Sequence, residues 1–126
     1  NSGFIIAYKS AYVNMFSDII NNINKYKSSS KSDQEFYIVY NGEIYNFAEI
    51  RVDLQQFGFL FETETDTEVI LKAYQKWGYG FVDRFRGMFA FAIWDKSSKK
   101  LLLCRDRVGV KPLHYYHKDG LFAFGS

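Results

Sequence analysis

Cysteine, proline and histidine are scarce in this chain of 126 residues, which holds one, one and two of them respectively. A single cysteine, Cys104, excludes an internal disulfide and any cysteine-rich zinc site. His114 and His117 lie in a tyrosine-rich stretch with no acidic partner at metal-ligand spacing, so both read as structural and no metal site is expected. No run approaches the ~20 apolar residues that span a bilayer. The first eight residues carry no basic leader. Charge of one sign is also missing. The formal net charge is +2 with no Lys/Arg block, which removes the electrostatic footprint of a nucleic-acid binder. These absences point to a soluble, cytoplasmic domain with neither a membrane nor a nucleic acid as partner.

What is abundant is apolar and aromatic. Hydrophobic residues make up 48% of the chain and aromatic ones 20%, with 13 Phe and 10 Tyr. That is too apolar for a disordered chain. A single domain of this length buries roughly two-thirds of the surface its unfolded form exposes.

Gly3 to Tyr8 is a short β-prone run. Val13 to Tyr26 places Val13, Phe16, Ile19, Ile20 and Ile23 on one helical face, and the Ser-rich stretch Lys27 to Asp33 reads as a loop. Glu35 to Tyr40 reads as a strand that ends at Asn41-Gly42, a turn pair because both residues tolerate positive φ. Asn46 caps a helix to about Phe57, which Gly58 stops. Phe59 to Glu62 reads as a brief strand. Thr65 or Asp66 caps the next helix, whose buried stripe is Val69, Ile70, Ala73, Tyr74 and Trp77, with Gly78 at its end. A short helix at Gly80 to Phe85 precedes strands at Gly87–Asp95, Lys100–Asp106, Leu113–Tyr116 and Leu121–Gly125. Phe89, Phe91 and Ile93 alternate with Ala90, Ala92 and Trp94. A strand apolar on both faces belongs between two layers, so the expected class is a layered α+β domain.

Four segments in order carry a resemblance: Tyr40-Asn41-Gly42-Glu43-Ile44-Tyr45-Asn46-Phe47, Asp66-Thr67-Glu68-Val69-Ile70, Arg86 to Asp95, and Arg105 to Leu113. Together they resemble the class II glutamine amidotransferase domain, most closely that of the glutamine-hydrolysing asparagine synthetases. The resemblance implies a four-layer α-β-β-α sandwich of the N-terminal-nucleophile hydrolase type, with residues 1–126 as the amidotransferase domain and the ATP-using synthetase domain outside them. In that family an N-terminal cysteine attacks the side-chain amide of glutamine with its own α-amine as base, a sound pairing because an amine of pKa near ~8 is partly neutral at pH 7. The ammonia released is joined to an activated aspartate. By the same resemblance Asn41 and Gly42 form the oxyanion hole, while Glu43 and Asp66 bind the amino-acid end of glutamine. The domain itself needs no cofactor, since ATP and magnesium belong to the synthetase part. Implied partners are glutamine, a synthetase domain in cis or in trans, and a second copy of the chain.

The sequence also departs from the pattern. Ser2-Gly3-Phe4 stands where the family has Cys-Gly-Ile, and the nitrogen of Ser2 is the Asn1–Ser2 peptide nitrogen, which has no basicity. The segment carrying the arginine that holds the substrate carboxylate is missing. Lys27 to Ser30 stands in its place, so the domain reads as incomplete between about 27 and 35. A non-catalytic glutamine-binding or regulatory module is therefore the alternative reading. Cys104, among Leu101, Leu102 and Leu103, reads as core, and Arg105-Asp106-Arg107 as a turn held by local ion pairs.

Overall fold

A computed structural model describes residues 3–9, by backbone path and pairing alone, and 36–126, and among these described residues there are six strands and two α-helices. In chain order they are β1 (Gly3–Lys9), β2 (Phe36–Ile44), α1 (Phe47–Gln56), α2 (Asp66–Trp77), β3 (Gly87–Asp95), β4 (Lys100–Asp106), β5 (His114–Lys118) and β6 (Leu121–Gly125). A 3-10 helix, Gly78–Arg84, joins α2 to β3. The helix expected at 13–26, the loop expected at 27–33 and Ser2 lie outside the described residues.

Strands β1 to β4 form one antiparallel sheet in the order β1-β4-β3-β2. The alternation along β3 decides how it is covered. Phe89, Phe91 and Ile93 join Phe36, Ile38, Leu102 and Cys104 on one face, where Ile50, Leu54, Val69, Ile70, Ala73, Phe81 and Phe85 from the helices bury them. Aromatic rings bind this layer edge to face, with Phe81 5.3 Å from Phe85 and Phe85 6.0 Å from Phe89. On the opposite face Ala92, Trp94, Leu101 and Leu103 pack against Phe122, with Tyr37, Leu113 and Phe124 at the margin. Phe122 and Phe124 come from the β5–β6 hairpin, which supplies the second sheet. Helices, large sheet and hairpin are three layers of the sandwich; the second helical layer is not among the described residues.

The hairpin turns at Asp119-Gly120, both with positive φ (51° and 77°). This is the Asp-Gly pair that two-residue turns between twisted strands favour. The second sheet's first strand begins one residue later than its apolar run predicts, because Leu113 packs against the core instead of pairing.

Two segments take a form other than the one expected, for identifiable reasons. Asn41-Gly42 is not a turn: β2 runs through both residues, which pair with Ala90 and Phe89. The segment Phe59 to Glu62 is not a strand, because its polar groups are taken by α1 and α2. The Phe59 amide donates to the Leu54 carbonyl, the Glu62 amide to Glu68, and Lys72 donates to the Leu60 carbonyl.

Candidate active site

At Gly42, β2 and β3 approach each other closely. A Cβ there would sit 2.1 Å from the Met88 carbonyl oxygen and 2.7 Å from Phe89 Cα, and its φ is 139°. No residue but glycine fits. Gly87 opposite is its counterpart, since a Cβ on it would lie 2.0 Å from the Glu43 carbonyl oxygen. The Tyr45 amide donates to the Arg86 carbonyl at 2.7 Å. Antiparallel alternation then turns the Gly42 and Ile44 amides away from β3. The Ile44 amide finds Asp66 Oδ2 at 3.2 Å, so the Gly42 N–H points out of the ladder on the same side.

Asp66 is the first residue of α2, whose N-cap is Thr65, with Oγ1 accepting from the Glu68 amide. The carboxylate is held by two donors converging on Oδ2: the Ile44 amide and the Tyr40 hydroxyl at 2.7 Å. Burial, then the bond to Asp66, push the Tyr40 phenol well above its ordinary pKa, so it stays protonated and donates. Both bonds leave Oδ1 for another partner. Asp66 also lies at the N-terminus of α2.

Alternation places Asn41 and Glu43 on the opposite face from Tyr40, and both are exposed. Asn41 Nδ2 donates to Ser126 Oγ at 2.9 Å, and Ser126 Oγ donates to the Pro112 carbonyl at 2.6 Å. Glu43 reaches Tyr40 only through its charge. The structure thus joins Asp66 to β2 and Asn41 to Ser126, but makes no contact between Glu43 and Asp66. The row Asn41–Ala90–Arg105–Phe4 runs straight across the sheet. The start of β1 therefore lies at the same end as Asn41, three strands away.

Next to this end is the loop after β4. Arg105 and Asp106, the last two residues of β4, are held by backbone groups, not by the ion pairs the sequence suggested. Arg105 donates to the carbonyls of Lys111 (2.7 Å) and Gly109 (2.9 Å). Asp106 is buried and accepts from the amides of Val110 (2.9 Å), Lys111 (3.0 Å) and Phe89 (3.2 Å). Burial alone would raise its pKa, yet these amides hold it below the usual carboxylate value. Asn46 likewise does not cap α1 with its side chain; it donates to the Arg84 carbonyl and accepts from the Arg86 amide, tying α1 to the start of β3.

Cys104 is buried in the sheet, and desolvation pushes its thiol up to about 12. It is core, as its leucine neighbours suggest. A cavity of about 280 Å³ lined by Phe36, Tyr74, Gln75, Tyr79, Asp95 and Lys100 opens at the far end of β2 and contains none of the residues selected from sequence. Sequence reasoning placed Tyr40 in the resembling segment without foreseeing its bond to Asp66, and it missed Ser126. Ser126 stands 85 positions from Asn41, and no local pattern announces that pairing.

A family model described as "Glutamine amidotransferase domain" matches residues 20–126. A putative glutamine-hydrolysing asparagine synthetase 2 of Methanocaldococcus jannaschii is 46% identical over 101 residues, 80% of this chain and 19% of the relative. Asparagine synthetase 3 of Bacillus subtilis, also named as glutamine-hydrolysing, is 45% identical over 91 residues, 72% of this chain and 15% of the relative. The chain thus spans less than a fifth of the length of either. Among solved structures, the glutamine phosphoribosylpyrophosphate amidotransferase of B. subtilis superposes with a TM-score of 0.67 at 20% identity, over 82% of this chain and 24% of that one. That likeness establishes the fold.

Proposed function

This chain belongs to the glutamine amidotransferase domain family, and from that premise we propose that it binds glutamine and hydrolyses it to glutamate and ammonia within an asparagine-synthetase-like enzyme. The observation that carries the reading is the arrangement at one end of β2. There the Gly42 N–H points out of the ladder, Asn41 presents its amide, and Asp66 is fixed by Tyr40 and the Ile44 amide with Oδ1 available.

In this reading the Asn41 amide and the Gly42 N–H receive the oxyanion that forms when the glutamine side-chain carbonyl is attacked. Each such donor is typically worth about 3 kcal/mol of transition-state stabilisation. Asp66 Oδ1 pairs with the substrate α-ammonium, and Glu43 adds negative charge to the same end. The nucleophile belongs at the position of Ser2, which lies outside the described residues. Its attack needs a free α-amine or another base to take the hydroxyl proton. The ammonia passes to a synthetase domain that uses ATP and magnesium to amidate aspartate. The setting proposed is cytoplasmic; no helix among the described residues is long and apolar enough to cross a membrane. Size-exclusion chromatography of the full-length polypeptide tests the homodimer that the family resemblance implies.

Incubating that polypeptide with glutamine and measuring glutamate and ammonia tests the hydrolytic reading, and absence of release defeats it. A second reading follows from the resemblance, which puts Ser2 at the position of the family's cysteine. Glutamine binding seen by calorimetry without ammonia release would make this a sensing module.

A further inference from the structure

We infer that Ser126 is a positioning residue for Asn41, fixing the side-chain amide so that an N–H, not the carbonyl oxygen, faces the reacting amide of glutamine. The inference rests on the oxyanion role proposed for Asn41 above.

The geometry leaves one hydrogen-bond polarity. A serine hydroxyl has a single hydrogen, and here it goes to the Pro112 carbonyl at 2.6 Å. Carbonyl oxygens only accept, so that bond cannot be reversed. Toward Asn41, 2.9 Å away, Ser126 Oγ can only accept. The end of the Asn41 amide that meets it must therefore be Nδ2. Of the two hydrogens on Nδ2 one is taken by Ser126, and the other is left for a ligand.

Asn41 is exposed, and an exposed amide without this partner is free to turn about its last torsion. The turned form offers Oδ1, which repels a developing oxyanion. The far end of the relay is itself anchored. Pro112 follows the loop in which Asp106 accepts from the Val110 and Lys111 amides and Arg105 donates to the Gly109 and Lys111 carbonyls. The segment Arg105 to Pro112 thereby acquires a purpose that its lack of catalytic groups left open. It holds the acceptor that orients Ser126, which in turn orients Asn41.

The test compares Ser126→Ala, Ser126→Thr, Asn41→Ala and the Ser126→Ala/Asn41→Ala double variant in the full-length polypeptide, reading glutamine hydrolysis. Ser126 belongs to neither hydrophobic cluster, so thermal midpoints should stay within a few degrees of the parent. Ser126→Ala is expected to lower kcat roughly tenfold, with KM for glutamine changing less than about twofold, as befits loss of an oriented transition-state donor. Ser126→Thr keeps the hydroxyl and should recover most of the rate. In the Asn41→Ala background, Ser126→Ala should have no further effect. An unchanged kcat in a folded Ser126→Ala variant, an equal loss in both backgrounds, or a folded Ser126→Thr variant as slow as Ser126→Ala overturns the inference. In those cases a slow Asn41→Ala variant keeps the oxyanion reading intact. If Asn41→Ala hydrolyses glutamine as fast as the parent, or the parent releases no ammonia, the reading fails and this inference with it.

Discussion

Gly42 and Gly87 approach the backbone of each other's strand so closely that a single methyl group cannot be inserted. Gly42→Ala should lower stability by at least about 2 kcal/mol, since the misplaced atom meets backbone and not a yielding side chain. Urea unfolding at neutral pH checks this. Asp106 offers a pH-dependent case. Its carboxyl titrates lower in the folded chain than in the unfolded one, so its contribution is present above the unfolded value of ~4 and disappears as pH falls through the folded value. Asp106→Asn should therefore be less stable than the parent by ~1–3 kcal/mol at pH 7. The gap should close below about pH 4, which a series of urea titrations across pH would reveal. The Cys104 thiol, pushed up to about 12 by burial, should ignore a disulfide reagent in the native protein and react fully once the chain is unfolded in denaturant. Rapid labelling under native conditions would contradict its placement in the sheet.

At the scale of elements, α2 is held at its beginning by a buried network. Glu68 is fully buried, accepts from the amides of Glu62 and Thr63 and from the Thr63 hydroxyl, and pairs with Lys72 at 3.1 Å. Arg51 on α1 donates to the Thr63 carbonyl from the other side. This network sets the position of the loop that delivers Asp66. Glu68→Ala should cost ~3–5 kcal/mol, because it leaves a buried ammonium and two amides without their partner. Differential scanning calorimetry measures the loss, and a shift within error of zero would contradict the burial. The same network shows where sequence reasoning stops. The core stripe and cap of α2, and the limits of β3, β4 and β6, follow from local periodicity and punctuation, which act over a few residues. The Phe59 to Glu62 segment has the composition of a strand, but side chains from two helices claim its backbone. Asn41-Gly42 has the composition of a turn, but pairing with β3 and the close approach at Gly42 keep it extended. Arg105 and Asp106 have the charges of an ion pair, but carbonyls and amides of their own loop are nearer partners.

For the whole molecule, the doubly apolar β3 revealed a two-sided core, and the structure places helices on one side and the β5–β6 hairpin on the other. Less of the candidate site could be read. Asn41, Gly42, Glu43 and Asp66 emerged from a resemblance spread over four segments, whereas the bonds of Tyr40 to Asp66 and of Ser126 to Asn41 emerged only in the folded chain. Ser126 needs the hairpin to dock before it can reach Asn41, so the site is a product of the complete fold.

The strand order carries a consequence in time. β1 pairs with β4, Lys9 opposite Lys100, so the first strand's partner is made roughly 90 residues after it. At synthesis rates of about 5–20 residues per second, pairing of β1 waits on the order of 5–20 s for β4. The β2–β3 and β5–β6 pairings close over far shorter stretches of chain. The β1 side of the sheet can therefore close only after β4 has been made, when β2 and β3 are already available to pair.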